Sequence, residues 1–168
     1  MKINVENEKK LADLAKKISL YIKPGDILLL TGEMGAGKTT FTRYLLGFFN
    51  NKENVSSPTF TIINKYYCDS VLVFHIDLYR LDFVEDLLNI DIQSYLDRKD
   101  AIVIIEWAEK LQELMPNSYL EIQFRYPEYC VSNKSAKIDL QNELGKSRDI
   151  CIFPKGKRYN SIYKSLML

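Results

Sequence analysis

The apolar run Ile27-Leu28-Leu29-Leu30 leads through Thr31 into Gly32-Glu33-Met34-Gly35-Ala36-Gly37-Lys38-Thr39, which satisfies G-x-x-x-x-G-K-[ST] without a mismatch. A short, almost wholly apolar segment suits a strand buried on both faces. The glycines that follow open backbone angles closed to other residues, so successive amide N–H groups can converge on an anion. From Thr39 to Phe49, the residues Phe41, Tyr44, Leu45 and Phe48 share one side of a helix. The N-terminus of that helix adds its positive end at the same place. Strand, glycine loop and helix in this order predict an α/β domain built around a phosphate-binding loop. In such a loop Lys38 bridges β- and γ-phosphate oxygens and the Thr39 hydroxyl ligates Mg²⁺. The expected nucleotide-binding residues are therefore Gly32, Glu33, Met34, Gly35, Ala36, Gly37, Lys38 and Thr39. Thr40 is grouped with them, although its place in the helix favours packing or capping over contact with metal.

Elsewhere the pattern alternates between helical and extended segments. Leu11, Leu14, Ala15, Ile18, Tyr21 and Ile22 recur at helical spacing over residues 7–22, ahead of the stop Pro24-Gly25. Residues 59–67 and 71–76 are β-rich on either side of Asp69-Ser70, the signature of an antiparallel hairpin. Short helices are expected over 83–97, a buried strand over 101–105, a helix over 108–115 and a strand over 119–124. Weaker strands are expected near 135–140 and 149–153. The fold class is thus α/β, a P-loop NTPase-like three-layer domain with a mixed central sheet flanked by helices. The ATPase domain is expected over residues 1–130, with 131–168 as a basic extension, an edge strand or tail of the same domain.

Composition narrows the setting. No stretch of the 168 residues approaches the roughly 20 apolar residues needed to span a bilayer. Met1-Lys2-Ile3-Asn4-Val5-Glu6 lacks the layout of a secretion signal, so the expected location is the cytoplasm, with no membrane association. Cys68, Cys130 and Cys151 are scattered and form no C-x-x-C pair, which fits free thiols in a reducing compartment. The net charge of +1 conceals a basic C-terminal stretch with Lys134, Lys137, Lys146, Arg148, Lys155, Lys157, Arg158 and Lys164. That asymmetry fits solvated tail charge, or contact with an acidic surface or RNA.

A phosphate loop needs a second carboxylate to position Mg²⁺, normally at the end of a neighbouring buried strand. Ala101-Ile102-Val103-Ile104-Ile105-Glu106 supplies it, making Glu106 the Walker-B-like candidate and, with Thr39, the expected metal-holding pair. Asp77, in His75-Ile76-Asp77-Leu78-Tyr79-Arg80, lies just beyond another apolar strand and could hold a metal-bound water, orient an attacking one, or cap a turn. His75 reads as a structural residue. Arg80 fits either a surface ion pair or phosphate stabilisation. Thr59, in Ser56-Ser57-Pro58-Thr59-Phe60, occupies a loop before a strand, where a switch threonine would stand. Asn51-Lys52-Glu53-Asn54 and Asn64-Lys65-Tyr66-Tyr67 both lack the aspartate of a guanine-reading Asn-Lys-x-Asp motif, which favours ATP.

GEMGAGKTTFTR at 32–43, SSPTFTIINKY at 56–66, HIDLYRL at 75–81 and IIEWAEKL at 104–111 closely resemble, in order and spacing, the signature blocks of the TsaE (YjeE) family. The resemblance covers roughly residues 5 to 125. It implies an ATPase of tRNA threonylcarbamoyladenosine biosynthesis, weak alone and activated by TsaD and TsaB, whose complex performs the transfer at tRNA position 37. It implies phosphate and Mg²⁺ binding by Lys38 and Thr39, a Walker B role for Glu106, and catalytic roles for Asp77 and the nucleotide-sensing Thr59. Trp107 corresponds to a tryptophan beside the active site. Contact with tRNA would be indirect, and the chain alone would be a monomer. Where family members often carry serine or threonine near the start of the first helix, this chain has Asn7-Glu8-Lys9-Lys10. On residues alone, a small-molecule kinase with Asp77 and Arg80 at an acceptor remains the alternative, and a non-hydrolysing nucleotide-gated binder a third.

Overall fold

The computed structural model describes residues 1–69, 71–127 and 147–166. In chain order the elements are β1 (Lys2–Val5), α1 (Glu8–Ser19), β2 (Ile27–Gly32), α2 (Lys38–Phe48), β3 (Ile63–Cys68), β4 (Val71–Asp77), α3 (Val84–Asn89) and α4 (Ile92–Leu96). Then follow β5 (Ala101–Glu106), a 3₁₀ segment (Ala108–Leu114), β6 (Tyr119–Arg125), β7 (Arg148–Lys155) and α5 (Lys157–Leu166). Among the described residues, seven strands form one mixed sheet in the order β1-β7-β6-β2-β5-β4-β3. Strands β2, β4, β5 and β6 run parallel, while β3, β7 and β1 are added antiparallel at the two sides.

The two-residue period of a strand divides the core into two layers. Leu28, Leu30, Ile102, Ile104, Leu120 and Ile122 face one way, against Leu11, Leu14, Ala15 and Ile18 of α1 and Phe41, Leu45 and Leu46 of α2. Ile27, Leu29, Val103 and Ile105 face the other way, against Leu87, Ile92, Leu96 and Leu111. Helix α1 starts where Asn7 accepts a hydrogen bond from the Lys10 amide, 3.0 Å away, satisfying one of the donors left open by the first turn. Phe41 meets Phe124 edge to face at 5.8 Å between ring centroids, seating α2 on β6.

The structure departs from expectation at three points. Residues 59–62 are not extended. They form a turn in which Ile62 adopts φ 65°, and β3 begins at Ile63. The helix expected over 108–115 is a 3₁₀ segment broken at Gln112, whose φ of 48° leaves the helical region. The described part of the C-terminal stretch, residues 147–166, forms an inner strand and a helix in place of the expected edge strand or tail. Strand β7 lies inside the sheet between β6 and β1, and α5 buries Tyr159, Ile162 and Leu166. Arg158 pairs with buried Asp26 through Nε at 2.6 Å from Oδ1, and the Tyr159 hydroxyl accepts a 2.6 Å bond from the Ile27 amide. The chain end is therefore fastened to the start of the very strand that leads into the glycine loop. The strand expected near 135–140, the boundary at 130 and Cys130 lie outside the described residues. Cys68 and Cys151 are free. Among the described residues no helix is long and apolar enough to cross a membrane.

Candidate nucleotide site

Strands β2, β5 and β4 are parallel neighbours, and their last residues are Gly32, Glu106 and Asp77. The register places Glu106 beside Leu30 on one side and beside Asp77 on the other. Two carboxylates and the glycine loop thus converge at the carboxyl edge of the sheet, where open α/β sheets bind ligands. Gly32 has φ 123°, and a Cβ there would stand 2.1 Å from the Phe124 carbonyl oxygen, so the chain leaves β2 through a gap that admits no side chain. Gly37, at φ 107°, delivers the loop to α2 without a side-chain cap, leaving the helix N-terminus open.

Lys38 is the first residue of α2 and is buried. Its ammonium donates to the carbonyls of Gly32 at 2.5 Å and Glu33 at 2.9 Å, and lies 3.9 Å from the centroid of the Trp107 ring. Burial pushes this amine below the usual lysine range, while Glu106, Glu109, Asp77 and Glu33 pull it back up. Trp107 itself is held in the left-handed region at φ 58°, an unusual place for a bulky residue. It stands between the Lys38 ammonium and the Tyr79 ring, whose centroid is 5.1 Å away.

The carboxylates carry different partners. Glu106 Oε2 accepts from the Thr39 hydroxyl at 2.9 Å, and its Oε1 lies 2.7 Å from His75 Nε2. Asp77 Oδ2 accepts from Thr59 at 2.8 Å and also from Ser57, while Oδ1 accepts from the Tyr79 amide at 3.0 Å. Ser57 and Thr59 are themselves 2.5 Å apart, so two hydroxyls of the loop before β3 are gathered onto one acid of β4. Both carboxylates, Thr39, Thr40, Thr59, Lys38 and Trp107 line one cavity of about 400 Å³. Its hydroxyl and carboxylate oxygens are hard donors, the kind a small divalent cation takes. Arg80 stands outside that lining, stacked on Phe60 at 4.1 Å.

A second cavity, of about 510 Å³, lies on the other side of the loop between Gly35–Gly37 and the start of α1. Asn7, Glu8, Leu11, Thr40 and Arg148 are among its walls. Thr40 lines both cavities, so it is less remote from the loop's chamber than a packing residue would be. Arg148 donates to the Gly35 carbonyl at 3.3 Å and packs on Tyr126, whose hydroxyl donates to the Met34 carbonyl at 3.1 Å. This brace leaves no local signature in the sequence, because β6 and β7 meet the loop only through the folded sheet. Ser57 does leave one, a hydroxyl two residues before Thr59. His75, expected to be structural, is fully buried, and its hydrogen-bond partner is a site residue.

These features define an α/β domain of the P-loop NTPase-like class, with a two-carboxylate site beside its glycine loop. The family model described as threonylcarbamoyl adenosine biosynthesis protein TsaE matches residues 5–135, and the chain belongs to that family. A tRNA threonylcarbamoyladenosine biosynthesis protein TsaE from Haemophilus influenzae is 34% identical over 139 residues, covering 83% of this chain and 84% of the relative. The protein of the same name from Bacillus subtilis is 34% identical over 122 residues, covering 73% and 75%. The crystal structure of Bacillus subtilis YdiB superposes with a TM-score of 0.74 at 25% identity, covering 99% of this chain and 93% of that one.

Proposed function

We propose that this chain is a Mg²⁺-dependent ATPase of tRNA threonylcarbamoyladenosine biosynthesis, slow alone and activated by TsaB and TsaD homologues whose complex it resets. The observation that carries the reading is the convergence of Lys38, Thr39, Glu106, Asp77 and Thr59 on one cavity. In this reading the backbone of Gly32 to Thr39 cradles the phosphates, and Lys38 exchanges its bonds to two loop carbonyls for charge-assisted bonds to phosphate. Thr39 and Glu106 would hold Mg²⁺, which when bound supplies charge neutralisation at the phosphates. Asp77 orients the attacking water. Ser57 and Thr59 report on Asp77, so the loop at 57–62 carries the nucleotide state outward. The 510 Å³ cavity beside Gly35–Gly37 has room for a nucleoside, and the absent guanine-reading motif favours adenine.

In this role the chain works in the cytoplasm as a monomer that reaches tRNA only through its partners. The kinase alternative finds little support. Arg80 is engaged with Phe60, and Arg98, the arginine of residues 83–100, is paired with Asp100 at 2.7 Å. The test is hydrolysis of [γ-³²P]ATP with Mg²⁺, with and without TsaB and TsaD homologues. Label should leave as inorganic phosphate, faster with the partners. Label on a small hydroxylated acceptor, or a rate indifferent to partners, would overturn the proposal.

A further inference from the structure

We infer that His75 is a positioning residue for the site, setting the orientation of the Glu106 carboxylate and through it the Mg²⁺-dependent part of nucleotide binding. The inference rests on the ATPase reading above. His75 lies on β4 two residues before Asp77, so both side chains leave the same face of the strand. The register sets His75 beside Ile104 and Asp77 beside Glu106, which puts the imidazole two register positions deeper in the sheet than the two acids. That face is the apolar one under α2, where its neighbours are Val73, Ile102 and Ile104. Its side chain is fully buried, with the Tyr66 ring 6.4 Å away between centroids.

A polar ring in such a place is costly unless hydrogen-bonded, and a leucine or phenylalanine would fill the same space without that cost. Nδ1 has no hydrogen-bond partner among the described residues, so the cost is half unrelieved. The compensation is the single bond at Nε2, 2.7 Å from Glu106 Oε1. A carboxylate is acceptor-only, so the geometry assigns the ring proton to Nε2. The other oxygen of Glu106 accepts from Thr39. Two donors at opposite oxygens fix a terminal torsion that is otherwise broad and two-fold. Removing the buried donor leaves the carboxylate free to turn. The Thr39–Glu106 oxygen pair then loses its preset orientation, while the glycine loop and Lys38, whose ammonium is bonded to the Gly32 and Glu33 carbonyls, stay as they are.

The test uses the full chain and a fluorescent ADP analogue, titrated in EDTA and again in MgCl₂, with circular dichroism and Tm as controls. Wild type should bind in EDTA and tighten on adding Mg²⁺. Failure of wild type to do either would sink the ATPase reading itself. His75→Phe keeps a planar ring without a donor. It should bind in EDTA as wild type does and lose the Mg²⁺-dependent tightening by about 10-fold, the usual scale for an outer partner of a metal ligand. The Mg²⁺ concentration giving half-maximal hydrolysis should rise by a similar factor. His75→Gln, which restores an amide donor, should recover most of both effects, whereas His75→Met should not. The Gln and Met pair decides the matter if the Phe variant fails to fold. An unchanged Mg²⁺ dependence in His75→Phe or His75→Met, with wild type behaving as expected, would overturn the inference alone.

Discussion

Gly32 and Asp77 show how single residues divide between building the site and running it. At Gly32 an added methyl would meet the Phe124 carbonyl oxygen at 2.1 Å, and backbone is the least able of neighbours to give way. Gly32→Ala should cost about 3 kcal/mol or more in urea denaturation, through strain in both β2 and β6. Asp77→Asn keeps an oxygen for the Ser57 and Thr59 hydroxyls but removes the charge. It should bind ADP within about 3-fold of wild type while hydrolysis falls by about 100-fold, the scale for losing a positioned base. Loss of ADP binding in that variant would contradict the role given to Asp77. Lys38, Thr39 and Glu106 were legible in the sequence because the glycine pattern and the apolar strand ending in an acid encode them locally. The bonds of His75 to Glu106 and of Ser57 to Asp77 were not, because they form between strands and loops that only the sheet register brings together.

The elements fall into a legible centre and a less legible flank. Strands β2 and β5 are apolar along almost their whole length, so burial on both faces was readable. Strand β1 is four residues long, with its three leading positions outside the buried class, and leaves little pattern. Helix α5 carries Lys157, Arg158 and Lys164 on its exposed side, which disguised the apolar spacing of Tyr159, Ile162 and Leu166 as a basic tail. Its fastening to β2 can be tested. Tyr159→Phe strips the partner from the buried Ile27 amide and should cost about 1–3 kcal/mol. The pairing of β1 with β7 has a pH signature. Hydrogen bonds from Asn4 and Lys2 hold the Asp149 carboxyl below the usual aspartate range. A depressed folded-state pKa means that the contribution is present above the ordinary aspartate value of about 3.9 and fades as pH falls through the folded value. Asp149→Asn should therefore cost about 1 kcal/mol at neutral pH, and the gap to wild type should close in acid below that window.

At the scale of the whole molecule, the sheet brings three parallel strand ends, one glycine loop and one hydroxyl-bearing loop to a single edge. The C-terminal residues hold both ends of β2, through Arg158 on Asp26 at its start and Arg148 against the loop that follows it. The most direct test is a reconstituted modification assay with TsaB and TsaD homologues, tRNA, an activated threonylcarbamoyl donor, ATP and Mg²⁺, counting modified tRNA per TsaB–TsaD complex. Wild type should support repeated turnover, and Asp77→Asn, hydrolysing ATP about 100-fold more slowly, should leave the complex near one cycle over the time in which wild type completes many, the stoichiometric limit of an unreset assembly. Repeated turnover at the wild-type rate with an Asp77→Asn chain whose hydrolysis is so reduced would contradict the account.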